Sequence, residues 1–294
     1  MSDLHLLLPL TAAALFVCGL LFIKQVSGKQ ISPWTVTFLS NLNAAVIFSF
    51  LWLLGGPGQP WQMLWQPFVI ATLYVLGVVF TFNAIERGDV SIATPVFGIK
   101  VLIVAVLVTL FGGQSLSIMV WSASAIAVIG IVLIQWTGSG HPRHIFMTII
   151  LAILAASSFA TFDLLVQKWA PAWGPGRFLP LIYWMVGLYS ILFIPFVQFD
   201  KIFDREIRVP LFIGAFLIAF QAMFIVFTLS AFGDATRVNV MYATRGIWSV
   251  ALAWIVAKRW GGSEASVPYR WMLVRLCGAI LLTAAVILAI LGGE

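Results

Sequence analysis

Ten stretches of about twenty apolar residues follow one another through the 294-residue chain, separated by short polar or glycine-rich breaks. A helix rises 1.5 Å per residue, so about twenty residues cross a bilayer core about 30 Å thick. Inside lipid the backbone N–H and C=O groups must be satisfied within the segment, which leaves the helix as the form such runs can take. The stretches lie near 4–26, 33–54, 65–86, 90–111 and 116–137, then near 145–168, 179–199, 209–232, 236–257 and 269–291. The breaks hold residues that end helices, among them Gly55-Gly56-Pro57-Gly58, Gly112-Gly113, Gly138-Ser139-Gly140, the run Pro171 to Pro175, and Gly261-Gly262-Ser263. The expected fold is an all-α integral membrane protein with ten transmembrane helices and short connectors. Leu4–Ile23 lacks the basic flank of a signal peptide and reads as the first span.

Composition excludes the main competing classes. Charged residues make up 9% of the chain and hydrophobic ones 62%, with a mean hydropathy of +1.07. So few charges do not cover the surface of a soluble domain of this size. The net charge of +6 sits in loops beside apolar spans and fits anchoring against anionic lipid rather than nucleic acid. Cys18 and Cys277 fall in apolar stretches and form neither a disulfide framework nor a metal motif. His5, His141 and His144 stand at span ends, and no metal or cofactor is expected. HExxH, GxSxG and phosphate-loop patterns are missing, and no second buried acid, base or nucleophile accompanies the first, so no enzyme is expected.

An internal repeat organises the ten spans. Phe80-Thr81 opens a stretch that passes an acidic turn and Gly98-Ile99 and closes on Gly112-Gly113. Phe227-Thr228 opens a second, through Asp234 and Gly246-Ile247 to Gly261-Gly262. Leu20–Lys24 likewise resembles Leu164–Lys168. These matches predict two five-helix repeats, residues 1–139 and 144–294. Five spans is an odd number, so the second repeat enters the membrane from the opposite side, which makes the repeats inverted. Transporters use this design and place their sites near the bilayer midplane between repeats.

Charged residues at helix centres are expensive in lipid and mark function. Lys100 lies about ten residues into span 4 and Arg245 as far into span 9. Aligning Gly98 with Gly246 places the two basic positions three residues apart in register, on one helical face. Arg offers a planar fork and Lys a point charge, a pair suited to an anion. The competing reading pairs each with a protein carboxylate. Asp163, in span 6, is the one clear intramembrane candidate, as a coupling acid, a counter-ion or a helix-contact residue. Asn239 and Tyr242 precede Arg245 on its face and join Asn83 and Asn41 as candidate substrate contacts. Asn43 and Gln221 read as interhelical hydrogen-bonding residues. Pro95 removes a backbone donor early in span 4 and is a candidate gating kink. Ala152, Ala155 and Ala156 read as close-packing residues. Trp34, Trp61, Trp65, Trp121, Trp173 and Trp271 stand near span ends and read as interfacial anchors.

The ten spans, the duplication, Asn83-Ala84 followed by Ala93-Thr94-Pro95, Ala231 before the turn into span 9, and Lys24 and Lys168 ending spans 1 and 6 together resemble the EamA-like members of the drug/metabolite transporter superfamily. The Gly-Glu pair common in that family after span 4 is replaced here by Gly113-Gln114, while the second half carries Ser263-Glu264. The resemblance implies a transporter fold over essentially the whole chain, and its sugar-phosphate-carrying relatives imply phosphate-type chemistry for basic residues such as Lys100 and Arg245.

The expectation is a secondary transporter working by alternating access about a midplane cavity, moving a small anionic or zwitterionic metabolite. The alternative is a proton-coupled exporter of neutral or amphiphilic compounds with Asp163 as the coupling acid. A channel would need a continuous polar stripe, which the spans lack. The expected partners are the metabolite and the lipid bilayer, the expected state a monomer or homodimer, and the expected location a bacterial inner membrane. Connectors 1–2, 3–4, 5–6, 7–8 and 9–10 carry ten Lys and Arg against three on the other face, which puts both termini outside by the positive-inside rule. The family resemblance implies termini inside.

Overall fold

The computed structural model describes residues 3–26, 29–86, 93, 96–113, 115–135, 145–248 and 269–292. Among them every regular element is helical. In chain order the main helices are α1 Leu7–Gln25, α2 Pro33–Ser49, α3 Trp65–Glu86, α4 Lys100–Phe111, α5 Ile118–Gln135, α6 Ile145–Trp173, α7 Pro175–Tyr189, α8 Arg208–Phe232, α9 Ala235–Ala243 and α10 Tyr269–Leu291. Counting the 3₁₀ turns that extend some of them, seven stretches of the described residues are long and apolar enough to cross a membrane. They are Leu4–Gln25, Pro33–Leu54, Trp61–Ile85, Phe146–Trp173, Pro175–Phe196, Arg208–Phe232 and Leu273–Leu291. Two further apolar helices, α4 and α5, are shorter. The expected kink at Pro95 with Thr94, residues 87–92 across the turn and the first residues of span 4, the connector 136–144 with His141 and His144, and residues 249–268 lie outside the described residues.

Local chemistry explains the ends. Ser32 caps α2, its hydroxyl accepting from Trp34 N–H at 3.3 Å, and Pro33 fills the first turn, where no N–H is required. Pro175 opens α7 in the same way after Gly174. Gly233 closes α8 in the left-handed conformation, φ 67°, which glycine adopts without a Cβ penalty. One expected break is displaced: α6 runs through Pro171 to Trp173. A proline so near a helix end forfeits little, and the chain turns at Gly174, φ 73°. Trp173, expected at the interface, is 4% exposed and its indole donates to Gln66 Oε1 at 2.7 Å.

The chain divides into two compact units, each drawn from both halves of the sequence. One comprises Leu7–Val75 and Leu165–Gly233. There α1 lies against α8 where Gly19 and Gly214 meet: a methyl at Gly214 would stand 2.9 Å from Gly19 O and 2.6 Å from Ile23 Cδ1. Small residues permit this approach, which in lipid replaces hydrophobic drive with packing. Helix α2 crosses α7 antiparallel. Trp34 meets Phe193 and Phe196 at ring distances of 5.1 and 5.5 Å, and Phe48 stacks on Tyr183 at 3.7 Å. Asn41 Nδ2 donates to Ser190 Oγ at 2.9 Å, Ala45 faces Gly187, and Gly176 faces Leu51 and Leu54. Lys29 pairs with Glu206 at 2.7 Å between the α1–α2 and α7–α8 connectors. The hydrogen bond and charge of Glu206 hold the Lys29 ammonium above its ordinary value. That exposed pair therefore contributes below the ordinary lysine range and is lost as pH rises through the elevated value.

The other unit comprises Met1–Leu6, Leu76–Leu164 and Asp234–Glu294. Its closest seam joins α5 to α10. A methyl at Gly130 would stand 2.9 Å from Leu282 Cγ and 3.0 Å from Gly278 O, and one at Gly278 would stand 2.7 Å from Gly130 O and 2.8 Å from Ile134 Cγ1. Ala84, Ala93 and Ala152 pack together with Val96, Phe97 and Leu151 alongside. Replacing Gly278 by Val should overpack this seam and cost about 1–3 kcal/mol, whereas Gly58→Ala, with open space around it, should be close to neutral. Thermal unfolding in micelles followed by tryptophan fluorescence would check both.

Candidate functional site

Helices α4, α6 and α9 bring three expected residues into contact. The Asp163 carboxylate, its side chain 3% exposed, accepts from Lys100 Nζ at 2.7 Å through Oδ2. The same oxygen accepts from Asn239 Nδ2 at 2.7 Å, and that amide also donates to Ala235 O at 2.9 Å, one turn back on its own helix. Lys100 keeps 23% of its side-chain exposure, so one end of the pair is sealed and the other open. The geometry pairs Asp163 with Lys100 and joins it to α9 through Asn239. A buried carboxylate this deep needs such partners, because desolvation of an unpaired charge is severe.

Both basic residues stand at interruptions of their helices. Gly98 and Ile99 form a turn directly before Lys100, and Val101 N–H reaches back only to Gly98 O, at 3.3 Å. Thr244 is a turn residue directly before Arg245. Its N–H bonds Met241 O at 3.2 Å, Ile247 N–H bonds Thr244 O at 2.9 Å, and its hydroxyl donates to Met241 O at 2.7 Å. These three-residue steps tighten the helix locally. Arg245 lies over the Tyr242 ring, 4.4 Å from its centroid, a cation–π geometry. Lys100 Nζ lies 6.0 Å from the Phe159 ring centroid, and Phe159 is one turn before Asp163 on α6.

The remaining expected residues are placed differently. Asn83 Nδ2 donates to Val79 O on its own helix at 2.8 Å. Asn41 belongs to the other unit, 1% exposed, held between Ser190 Oγ and the Tyr74 hydroxyl, which donates to its Oδ1 at 3.2 Å. A second charged cluster stands at the start of α9, where Asp234 accepts from Arg237 and meets His5 at 3.4 Å. Among the described residues no group of three His, Cys, Asp or Glu forms a metal-type cluster. Sequence reasoning missed Phe159. Its spacing of four from Asp163 is the signal that places both on one helical face.

The pairing has a measurable consequence. Lys100→Met leaves Asp163 buried without its main partner and should cost about 3–5 kcal/mol, while Lys100→Met combined with Asp163→Leu should recover most of that loss. Unfolding midpoints of the two single variants and the double variant close the cycle.

The comparisons bear on the whole fold. A solved structure, titled only as the crystal structure of a protein, superposes with a TM-score of 0.72 at 16% identity, covering 98% of this chain and 97% of its own. That likeness is one of fold. No curated protein matches the sequence. The EamA-like transporter family matches residues 4–136, and its proteins are membrane transporters of small molecules rather than enzymes. Together with the apolar helices, this match makes the chain a multi-pass integral membrane protein and places it in the drug/metabolite transporter superfamily.

Proposed function

We propose that the protein is a secondary transporter with ten membrane helices in two inverted five-helix repeats, residues 1–139 and 144–294. It moves a small anionic or zwitterionic metabolite by alternating access about a site built on Lys100 and Arg245. The observation that carries this reading is the pair of basic residues at helix interruptions in corresponding spans, Lys100 after Gly98-Ile99 and Arg245 after Thr244. Interrupted intramembrane helices are how transporters expose backbone dipoles and charge to a substrate at mid-depth. Asn239 and Tyr242 share the α9 face with Arg245, and Asp163 balances the charge of Lys100. Pro95, Asn83 and Asn41 stay outside this core assignment. A bacterial inner membrane is the proposed location.

The contacts within each unit support the inverted repeat. The shift that carries Pro33 to Pro175 also carries Leu54 to Phe196, so the two 22-residue stretches correspond end to end. Under it the hydrogen bond of Asn41 with Ser190 exchanges with the stack of Tyr183 on Phe48. Trp34 against Phe193 and Phe196 exchanges with Gly176 against Leu51 and Leu54, and Ala45 against Gly187 maps onto itself. In the other unit the shift that carries Gly98 to Gly246 carries Gly130 to Gly278 and Ile134 to Leu282. The contact of Gly130 with Leu282 then exchanges with that of Gly278 with Ile134. Contact sets that return to themselves on exchange are what a two-fold axis produces. Because the exchanged helices are antiparallel, such an axis runs across them, in the membrane plane.

The test is a thermal-shift titration of the purified protein with phosphates, carboxylates, amino acids, neutral sugars and organic cations. A ligand bound only by the folded state raises its melting point by mass action. Stabilisation by anionic or zwitterionic compounds that disappears in Arg245→Gln and in Lys100→Gln is the expected result. Stabilisation by neutral or cationic compounds that survives both substitutions would overturn the proposal.

A further inference from the structure

Phe159 is held in place by an absence on the helix beside it. Its ring edge, Cδ1, Cε1 and Cζ, lies 2.8–3.0 Å from where a Cβ at Gly77 would stand, so only glycine admits the ring there. The Thr81 hydroxyl donates to Gly77 O at 2.8 Å and satisfies the carbonyl at that point of α3. Phe159 itself is half-buried. Its neighbours one residue on either side, Ser158 and Ala160, are buried. The ring stands 6.0 Å from the Lys100 ammonium, and Phe159 precedes Asp163 by one turn of α6, so ring, ammonium and carboxylate share one neighbourhood.

We propose that Phe159, seated against Gly77, is an apolar wall of the Lys100 site, which makes the substrate an organic anion carrying a short apolar or aromatic group rather than an inorganic oxyanion. This rests on the transporter reading above and narrows its substrate class. A lysine beside a carboxylate supplies charge but little discrimination, because a point charge accepts any anion of suitable size. A flat ring beside it adds the discrimination, since aromatic and aliphatic groups gain from contact with its face while a hydrated oxyanion gains nothing. Gly77 is a positioning residue here: it fixes the ring and touches no substrate.

The experiment measures KM, or the dissociation constant from thermal shift, for acetate, butyrate, benzoate, inorganic phosphate and sulfate in the wild type, Phe159→Ala, Phe159→Leu and Gly77→Ala. The wild type is expected to prefer butyrate and benzoate over acetate and the oxyanions. Phe159→Ala should lower the benzoate-over-acetate preference by about tenfold, and Gly77→Ala should do the same by displacing the ring. Phe159→Leu, which keeps an apolar wall, should retain the preference for butyrate. An unchanged benzoate-to-acetate ratio in Phe159→Ala overturns the inference while leaving the transporter reading intact. If no anion binds in a way that depends on Lys100 and Arg245, the transporter reading fails instead. Should Gly77→Ala not fold, the two Phe159 variants decide the matter by themselves.

Discussion

A carboxylate in a membrane span has to be met by donors, and the arrangement of α4, α6 and α9 follows from that requirement. Asp163 takes Lys100 and Asn239 on one oxygen, and neither donor could leave without exposing a charge to a medium that does not solvate it. Lys100 comes from the first half of the chain, and Asp163 and Asn239 from the second, so the cluster ties the halves together within one compact unit. An ammonium in the first turn of α4 opposes the positive end of the helix dipole, and the neighbouring carboxylate offsets it.

The rest of the packing depends on side chains that are small or missing. Lipid tails are as apolar as leucine, so helices in a bilayer gain little by hiding apolar surface from them, and close backbone approach takes over. Gly19 with Gly214 and Gly130 with Gly278 are two such meetings, each flanked by an isoleucine or leucine that fills the space beside the glycine. The flanking residues explain why the seams are specific. At Gly130 and Gly278 each glycine accepts the branched side chain four residues beyond the other, an antiparallel interlock that fixes register as well as distance.

Much of this fold was legible in the sequence, because a membrane helix needs only length and apolar character, and both can be read without neighbours. The interruptions were less so. Pro171 looked like a boundary but lies in the last turn of α6, where losing a donor matters little, and Gly174 makes the turn instead. Position along an expected span could be counted for Lys100, Asp163 and Asn239. Their partnership could not be read, because spacing within one helix says nothing about the rotation of another. Asn41 shows the same limit: its depth suggested a substrate contact, and its amide is shared between Ser190 and Tyr74. Phe159 carried one mark among 24 phenylalanines, its spacing of four from Asp163, and the glycine that seats it lies on a different helix.

In the proposed repeat the two halves share a scaffold but carry different chemistry at the site, and this difference constrains how a substrate is held. Under the register that aligns Gly98 with Gly246, Lys100 corresponds to Trp248 and Arg245 to Phe97, so each half supplies one cation and one aromatic residue in swapped positions. Lys100 is balanced by a carboxylate and borders Phe159, whereas Arg245 lies over Tyr242. A guanidinium is a planar fork that matches a carboxylate or phosphate, whereas an ammonium is a point charge. In the proposed reading Arg245 and Lys100 hold the anionic group together, and the ring of Phe159 borders Lys100. Symmetry in the helices lets such a site open to either side of the membrane, and asymmetry in the side chains gives the substrate a single orientation within it.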